Sequence, residues 1–298
     1  MSERMTTPLQ AGDRVAFIGL GAMGGPMAGH LIRAGFDVAA YNRGSDRAQA
    51  WSAAHGRATA ASPAEAAQGA RLVALCVGKD ADVREVVTGP QGVLHALQPG
   101  AIVADHTTTS AELARELHAA CAAKGVAFVD APVSGGEVGA QKGQLTVMCG
   151  GDTEAFERAA PALRAYAKAV TLLGEAGAGQ LTKMVNQICI AGLVQGLSEA
   201  LAFGEKAGLD MPTVLKVIGG GAAQSWQLDQ RGPTMLEDRF DFGFAVDWMR
   251  KDLGLVLDEA RRNGARLPVT ALVDQFYAEV QALGGRRWDT SSLIKRLR

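Results

Sequence analysis

The sequence predicts an α/β domain with a parallel sheet, followed by an all-helical domain that begins with one long helix. In the first half of the chain, short apolar runs alternate with helical patterns, which is typical of a parallel sheet covered on both faces. After Gly174, runs rich in β-branched residues almost disappear. Between residues 180 and 206, apolar residues recur at helical spacing without a proline, which predicts a helix of about 40 Å.

The first half contains five short apolar runs with strand character, and segments with helical spacing lie between them. The predicted strands are residues 14–19, 37–41, 71–77, 101–104 and 126–129. The predicted helices are residues 22–33, 46–53, 63–68, 80–87 and 111–123. Two further apolar stretches, 144–149 and 169–173, flank a predicted helix at 153–166 and extend the sheet.

The second half is predicted to be helical throughout. Gly208 is expected to end the long helix, and four shorter helices follow at residues 212–218, 224–230, 248–263 and 269–282. We therefore predict a first domain at residues 12–174 and a helical domain at 175–298, joined by the long connector helix. The helical domain is expected to serve in oligomerisation and to contribute to a substrate cleft.

Composition limits the possible partners. The chain of 298 residues has 30 basic and 31 acidic residues, and this balance disfavours a nucleic-acid or membrane surface as the main partner. The four cysteines, which form no C-x-x-C pair, are expected to be reduced thiols, and no metal site is expected. Residues 1–10 lack an apolar signal core, so we expect a frayed end and a cytoplasmic protein.

A glycine-rich turn is the first chemical signal. Gly19-Leu20-Gly21-Ala22-Met23-Gly24 follows an apolar strand and precedes a helix, as the G-x-G-x-x-G motif of a Rossmann dinucleotide-binding domain requires. The first glycine allows the tight turn, the second lets a pyrophosphate approach, and the third lets the helix pack on the strand. All six residues are therefore predicted to bind a dinucleotide at the positive end of the helix.

The end of the second predicted strand indicates which dinucleotide binds. NAD-binding domains usually have an acidic residue there for the ribose 2′-hydroxyl. Here Asn42 occupies that place and Arg43 follows. An amide and a guanidinium can donate hydrogen bonds to a 2′-phosphate, which a carboxylate would repel. We therefore predict NADP, with NAD as the weaker alternative.

Four ordered blocks resemble the β-hydroxyacid dehydrogenases, a family that includes 3-hydroxyisobutyrate dehydrogenase and tartronate semialdehyde reductase. They are residues 17–28, 130–151, 177–187 and 251–253. The spelling Lys183-Met184-Val185-Asn186-Gln187 is closest to the tartronate semialdehyde reductase branch. Two positions depart from the family pattern: His30 replaces an asparagine, and Cys76-Val77-Gly78 replaces a Leu-Pro step beside the cofactor.

The resemblance implies an oxidoreductase that interconverts a short β-hydroxy acid and its semialdehyde. It implies that Lys183 is the general acid/base, on a helix that also carries Asn186 and Gln187. These two amides would bind the substrate or orient the lysine. Substrate binding is further assigned to Ser134, Gly135 and Gly136, because a hydroxyl and consecutive backbone N–H groups can hold a carboxylate. Further cofactor contacts are assigned to Val77, Thr108 and Lys251.

Two other functions remain open at this stage. An imine reductase shares the scaffold but usually lacks the lysine, and a cofactor-binding module would bind the dinucleotide without turnover. Lys183 and the intact Ser134-Gly135-Gly136 run disfavour both alternatives. A connector helix of this length would be poorly buried in a monomer, so we expect a homodimer or homotetramer whose substrate is a small carboxylate.

Overall fold

The computed structural model describes residues 5–298. These residues divide into two units, one ending at Lys183 and the other beginning at Met184, so that the division falls within helix α8 (Ala178–Lys206). The sequence placed the boundary at 174/175, just before this helix. The two units are described separately below.

The first unit contains eight strands, which confirms the α/β class. They are β1 (Arg14–Ile18), β2 (Asp37–Tyr41), β3 (Leu72–Leu75), β4 (Ile102–Asp105), β5 (Ala127–Asp130), β6 (Val133–Ser134), β7 (Leu145–Gly151) and β8 (Ala167–Leu172). Strands β1 to β5 are parallel in the order β2-β1-β3-β4-β5. The chain therefore moves to one side of β1 and then to the other, which is the switch point where open α/β sheets bind ligands.

The two stretches expected to extend the sheet do so, but both strands run antiparallel to β1–β5. β7 pairs with β5 in the antiparallel direction, and β8 pairs with β7 in parallel. β6 was missed in the sequence because it has only two residues. It continues the register of β5 along β7, since Asp130 pairs with Gly150 and Ser134 pairs with Thr146. β5 and β6 thus pair with β7 along the same side.

Helices connect the strands near their predicted positions. They are α1 (Gly24–Arg33), α2 (Ser45–His55), α3 (Pro63–Ala67), α4 (Asp80–Thr88), α5 (Ala111–Ala122), α6 (Gly136–Lys142) and α7 (Thr153–Leu163). α6 was not predicted, because a helix of two turns leaves little periodicity. A short 3₁₀ helix, Val93–His95, was also missed.

Alternate residues of each central strand enter two separate cores. On β1, Val15 and Phe17 pack in the core that contains Met27 of α1, whereas Ala16 and Ile18 pack in the core that contains Leu117 of α5. These four residues of β1 are fully buried. Burial on both faces explains why the strands are apolar throughout rather than alternating with polar residues.

The expectation of a frayed N-terminus is wrong for the described residues of this segment. Residues 1–4 lie outside the described residues. Leu9, however, is buried, and its backbone N–H donates to the carbonyl of Arg158 at 3.0 Å. The carbonyl of Thr7 accepts from Arg71, whose guanidinium also forms a buried ion pair with Asp13 at 2.5 Å. These contacts hold the N-terminal segment against the rest of the first unit.

The second unit is helical, as predicted. After α8 it contains α9 (Met211–Ile218), α10 (Trp226–Leu236), α11 (Val246–Asn263) and α12 (Pro268–Ala282), and it ends in a 3₁₀ helix, Thr290–Arg296. α10 runs past its predicted end at residue 230. Ser225 caps its start by accepting from the Leu228 N–H at 3.0 Å. A Cβ at Gly232 would lie 2.9 Å from Leu215, so this glycine allows α10 to pack closely on α9.

α8 was expected to be about two residues shorter. By length and composition it is the one helix among residues 5–298 that could cross a membrane, and half of its most apolar 18-residue window is buried inside the protein. Two polar side chains of this helix, Gln195 and Ser198, are themselves buried. Gln195 donates to Glu199 at 2.6 Å and Ser198 donates to the Val194 carbonyl at 2.8 Å.

Candidate active site

The glycine turn between β1 and α1 has the geometry that the motif predicts. Gly19 has φ +95°, where an L side chain is strained. A Cβ on Gly19 would also overlap the carbonyl oxygen of Cys76, just after β3. A Cβ on Gly24 would overlap the carbonyl oxygen of Gly19 and lie 2.8 Å from the ring of Phe17. Gly19 and Gly24 are therefore required by packing inside the protein.

Gly21 has a different environment. A Cβ there would meet only the Arg47 guanidinium, at 3.4 Å, so Gly21 keeps a surface open instead of filling a tight contact. This surface lies beside the N-terminus of α1, whose first N–H groups can bind phosphate. An open glycine at the switch point of the sheet is what the pyrophosphate of a dinucleotide requires, and the residues present fit this cofactor.

Asn42 and Arg43 lie at the carboxyl end of β2, as predicted, but they make different contacts. Asn42 accepts the Leu20 N–H at 2.9 Å and donates to the Gly44 carbonyl at 2.8 Å, so its amide ties the glycine turn to the loop after β2. The Arg43 guanidinium is 83% exposed and forms an ion pair with Asp82 at 3.0 Å. Exposed pairs of this kind contribute only about 0–1 kcal/mol, so the guanidinium can exchange Asp82 for a phosphate.

The loops after β3 and β4 are joined by a hydrogen bond. The Val77 N–H donates to the Thr107 hydroxyl at 2.9 Å, and the Thr107 N–H donates to Asp105 at 2.8 Å. Burial raises the pKa of the Asp105 carboxyl to about 7, although the hydrogen bonds from Thr107 oppose this shift. Thr108, the predicted cofactor contact, is the residue that follows Thr107 in the second of these loops.

His106 is a packing residue. It is 2% exposed, with one ring nitrogen 2.7 Å from the Ala131 carbonyl and the other 2.8 Å from the Tyr166 hydroxyl. Burial lowers its pKa to about 4, so the ring is neutral near pH 7. A neutral ring with both nitrogens engaged is not available for proton transfer to a ligand.

The first turn of α8 is fastened to the carboxyl end of β5. Asp130 is fully buried and accepts the N–H groups of Gly177 at 2.8 Å and Gln180 at 2.9 Å. A carboxylate at this position caps the unpaired N–H groups and interacts favourably with the helix dipole. Gly150 and Gly179 allow this approach, because a Cβ on either glycine would lie within 2.8 Å of the Asp130 carboxylate.

Lys183 follows one turn after Gln180 and is the last residue of the first unit. It is only 8% exposed, although it carries an ammonium group. Lysine is almost never fully buried unless it is paired or functional. This burial distinguishes Lys183 from the exposed Lys206 at the other end of the same helix.

Ser134, Gly135 and Gly136 connect β6 to α6. Gly135 has φ +125° and Gly136 has φ +62°, so two consecutive residues occupy conformations that favour glycine. A Cβ on Gly136 would have no neighbour within 4 Å, which leaves the backbone accessible to a ligand. His30 of α1, the departure from the family pattern, lies 3.0 Å from the Ala140 carbonyl and thereby holds the far end of α6.

In the second unit, the remaining predicted residues are linked by hydrogen bonds and one ion pair. Asn186 donates to the Gln187 side-chain oxygen at 2.8 Å, and Gln187 donates to Asp252 at 2.6 Å. The other oxygen of Asp252 lies 3.1 Å from the Lys251 ammonium, which is 5.9 Å from the centre of the Trp248 ring. Both ends of the Gln187 amide are engaged, so within this unit its role is to orient Asn186.

Comparison with known proteins identifies the family. The model for the NAD-binding domain of 6-phosphogluconate dehydrogenase matches residues 14–174. The model for the NAD-binding domain of NADP-dependent 3-hydroxyisobutyrate dehydrogenase matches residues 177–297. The chain belongs to the 3-hydroxyisobutyrate dehydrogenase-like β-hydroxyacid dehydrogenases. It is therefore an enzyme that acts on CH–OH groups with a nicotinamide cofactor.

Individual relatives cover nearly the whole chain. An uncharacterised oxidoreductase of Shewanella frigidimarina is 58% identical over 95% of this chain and 98% of its own. The 2-hydroxy-3-oxopropionate reductase of Escherichia coli is 34% identical over 95% of this chain and 97% of its own. The structure of Mycobacterium tuberculosis 3-hydroxyisobutyrate dehydrogenase with L-serine is 34% identical, with a TM-score of 0.87 over 96% of this chain and 99% of its own.

Four residues of this β-hydroxyacid dehydrogenase had no role in the sequence interpretation. Asp130 and Asp252 lay inside the recognised blocks without an assigned function, and Gln180 and Arg47 were not singled out. Their partners are far away in the sequence: Gln180, for example, contacts Thr107 and Thr109. Only Arg47 had a local signal, because it stands in the first turn of the helix after β2, where a phosphate-binding cation is useful.

Proposed function

We propose that the enzyme is an NADPH-dependent reductase of short semialdehydes that carry a carboxylate, and that it also catalyses the reverse oxidation of the β-hydroxy acid. The single observation that carries this proposal is the burial of Lys183, which is 8% exposed. It lies in α8 shortly after the start of the helix, which Asp130 holds by hydrogen bonds. A lysine in such a place is an acid–base group rather than a solvated surface residue.

The bound nicotinamide supplies a hydride to the carbonyl carbon. As the carbonyl bond opens, its electron pair moves to the oxygen, and the Lys183 ammonium donates the proton that this oxygen takes up. The positive charge of Lys183 also stabilises the developing alkoxide. In the oxidation direction the neutral amine accepts the proton from the hydroxyl. Such a group contributes about 10²–10⁴-fold to the rate.

Ser134, Gly135 and Gly136 bind the substrate carboxylate in this proposal. The accessible backbone at Gly136 and the positive φ at both glycines support it, because an anion needs N–H groups that side chains do not cover. Asn186, oriented by Gln187 and Asp252, supplies a further hydrogen bond to the substrate. Lys251, paired with Asp252, contacts the cofactor.

The preference for NADP follows from the basic residues around β2. Arg43 is exposed and weakly paired, and Arg47 lies beside the open Gly21. Together these guanidiniums bind the 2′-phosphate and the neighbouring phosphates. Asn42 contributes indirectly, because its contact with Leu20 holds the two loops together. The family description of the second half of the chain, an NADP-dependent dehydrogenase, supports the same choice.

The decisive experiment follows NADPH absorbance with tartronate, succinic and methylmalonate semialdehydes and with glyoxylate. Wild type should oxidise NADPH with at least one of them, and Lys183→Ala should lose kcat by about 10²-fold or more while still binding NADPH. Lys206→Ala is the matched control, since it removes an exposed lysine from the same helix. Full activity of Lys183→Ala, or oxidation with a cyclic imine alone, would refute the proposal.

We also propose that the chain self-associates through α8. Val185, Cys189, Leu193 and Phe203 are exposed at helical spacing, and Phe203 is 73% exposed. A large apolar stripe that faces water is unfavourable and is a common mark of an interface between subunits. A mass near that of one 31.0 kDa chain in light scattering would refute this proposal.

A further inference from the structure

The side chain of Gln180 holds a loop that belongs to a different part of the sequence. Gln180 is completely buried in the first turn of α8. Its amide oxygen accepts the Thr109 N–H at 3.0 Å, and its amide nitrogen donates to the Thr107 carbonyl at 2.8 Å. These two backbone groups flank Thr108, so one side chain fixes the backbone on both sides of that residue.

The same residue is also fixed through its main chain. The Gln180 N–H donates to Asp130 at 2.9 Å, at the end of β5. The loop that Gln180 holds begins at the end of β4, and Thr107 in that loop accepts the Val77 N–H at 2.9 Å. The loops after β3 and β4 and the first turn of α8 are therefore linked by consecutive hydrogen bonds.

The chemistry of the amide matters here. Only a side chain with one donor and one acceptor can satisfy a carbonyl and an N–H two residues apart. Both backbone groups are buried by the contact, so an apolar replacement leaves them unpaired. Methionine has a similar length and volume, but it offers neither hydrogen bond.

We propose that Gln180 is a positioning residue. It couples the loop after β4, which contains Thr108, to the helix turn that carries Lys183. Lys183 follows Gln180 by three residues and shares its helix face. If Gln180 shifts, the position of Thr108 relative to Lys183 is no longer fixed. Cofactor affinity and turnover then decline together. This inference rests on the predicted cofactor contact of Thr108 and on the proposed function for the role of Lys183, while the coupling itself can be measured by binding alone.

The first measurement is the Kd for NADPH, from nicotinamide fluorescence, in wild type and in Gln180→Met. We expect the Kd to rise about tenfold or more, because two hydrogen bonds that order the loop are lost. The control is Gln195→Met, which removes a buried amide from the same helix, where Gln195 donates to Glu199. This variant should lose stability but keep the Kd and kcat of wild type.

A double-mutant cycle distinguishes positioning from general destabilisation. If Gln180 acts through Thr108, the Kd of the Gln180→Met/Thr108→Ala variant equals that of Thr108→Ala, whereas independent effects multiply. Multiplying effects, or a wild-type Kd in Gln180→Met, overturn the inference. Should Gln180→Met fail to fold, Gln180→Asn serves in the same cycle, since it keeps a neutral amide but withdraws both polar groups from Thr107 and Thr109 by the length of one methylene group.

The two proposals fail separately. If wild type binds NADPH but reduces none of the semialdehydes, the proposed function is wrong, while the cycle on Kd still decides the role of Gln180. If the reductase activity is present but the cycle shows independent effects, the function stands and the coupling is wrong. Hydrogen exchange of the 107–110 segment without cofactor gives a second readout: exchange at Thr109 should be faster in Gln180→Met, and an unchanged rate contradicts the inference.

Discussion

Replacement of Gly24 by alanine tests whether the glycine turn depends on close packing. A methyl group there would overlap the Gly19 carbonyl oxygen and approach the Phe17 ring to 2.8 Å. The neighbouring Gly25 provides a matched control in the same helix turn. A methyl group at Gly25 would lie 3.6 Å from the Leu20 carbonyl oxygen, which is an ordinary contact.

The magnitude follows from these distances. Non-bonded carbons prefer a separation of about 3.5–4.0 Å, so α1 or the Phe17 ring must move by roughly an ångström in Gly24→Ala. Overpacking of this kind costs about 1–3 kcal/mol in free energy of unfolding. Gly25→Ala should instead stabilise by about 0.4–1 kcal/mol, because alanine restricts the unfolded chain. We expect the two variants to differ by roughly 1.5–4 kcal/mol.

Thermal unfolding and NADPH binding together check this prediction. The melting temperature of Gly24→Ala should lie about 5–10 °C below that of Gly25→Ala, and its Kd for NADPH should rise more than about tenfold, because the first N–H groups of α1 are displaced. Equal melting temperatures and equal NADPH affinities in the two variants would show that the turn is not held by this contact.

The remaining predictions concern other parts of the molecule. The pKa of His106 in the folded protein is about 4, below its unfolded value of about 6.5. The stability that the neutral ring contributes is therefore present above pH 6.5, and up to about 3 kcal/mol of it is lost as the pH falls through 4. The melting temperature of His106→Gln should depend less on acid pH than that of wild type. Asp130→Asn should lower the free energy of unfolding by about 1–3 kcal/mol, and denaturant titration would detect this loss: the two carboxylate oxygens each accept one N–H group, and asparagine replaces one of these oxygens with an NH2 donor. Arg43→Glu should raise KM for NADPH and leave KM for NADH nearly unchanged, and equal effects on both cofactors would contradict the 2′-phosphate assignment. Phe203→Glu should yield monomers in light scattering if α8 forms the subunit interface.

The sequence was sufficient for the order of elements because the central strands are buried on both faces. Continuous apolar runs such as β3 and β4, separated by helices, have few other arrangements. It was insufficient for the segment between β5 and β7. β6 has two residues and α6 has seven, too few for a period to emerge. The antiparallel direction of β7 depends on this short connection, so it could not be predicted either.

Candidate site residues could be named from the sequence where their neighbours along the chain form a recognisable pattern. The glycine turn, Lys183 and Ser134-Gly135-Gly136 have recognisable neighbours in the sequence, and the structure gives the glycines the strained or open backbone that was expected. Asn42 illustrates the limit of such reasoning. Its residue type suited a phosphate, but its amide is engaged by Leu20 and Gly44. A residue type predicts the contacts that are possible, whereas the fold decides which of them are made.

Two glycines of the recognised blocks, Gly150 and Gly179, are explained by the contacts of Asp130. Gly150 and Gly179 have no ligand-binding geometry of their own, and a Cβ on either would collide with the Asp130 carboxylate or with nearby backbone. Their small size lets the start of α8 approach the ends of β5 and β7 until the carboxylate can cap the helix. Part of what resembles a catalytic motif is therefore a packing requirement, because a lysine can act on a defined atom only if the helix that carries it is held in one place.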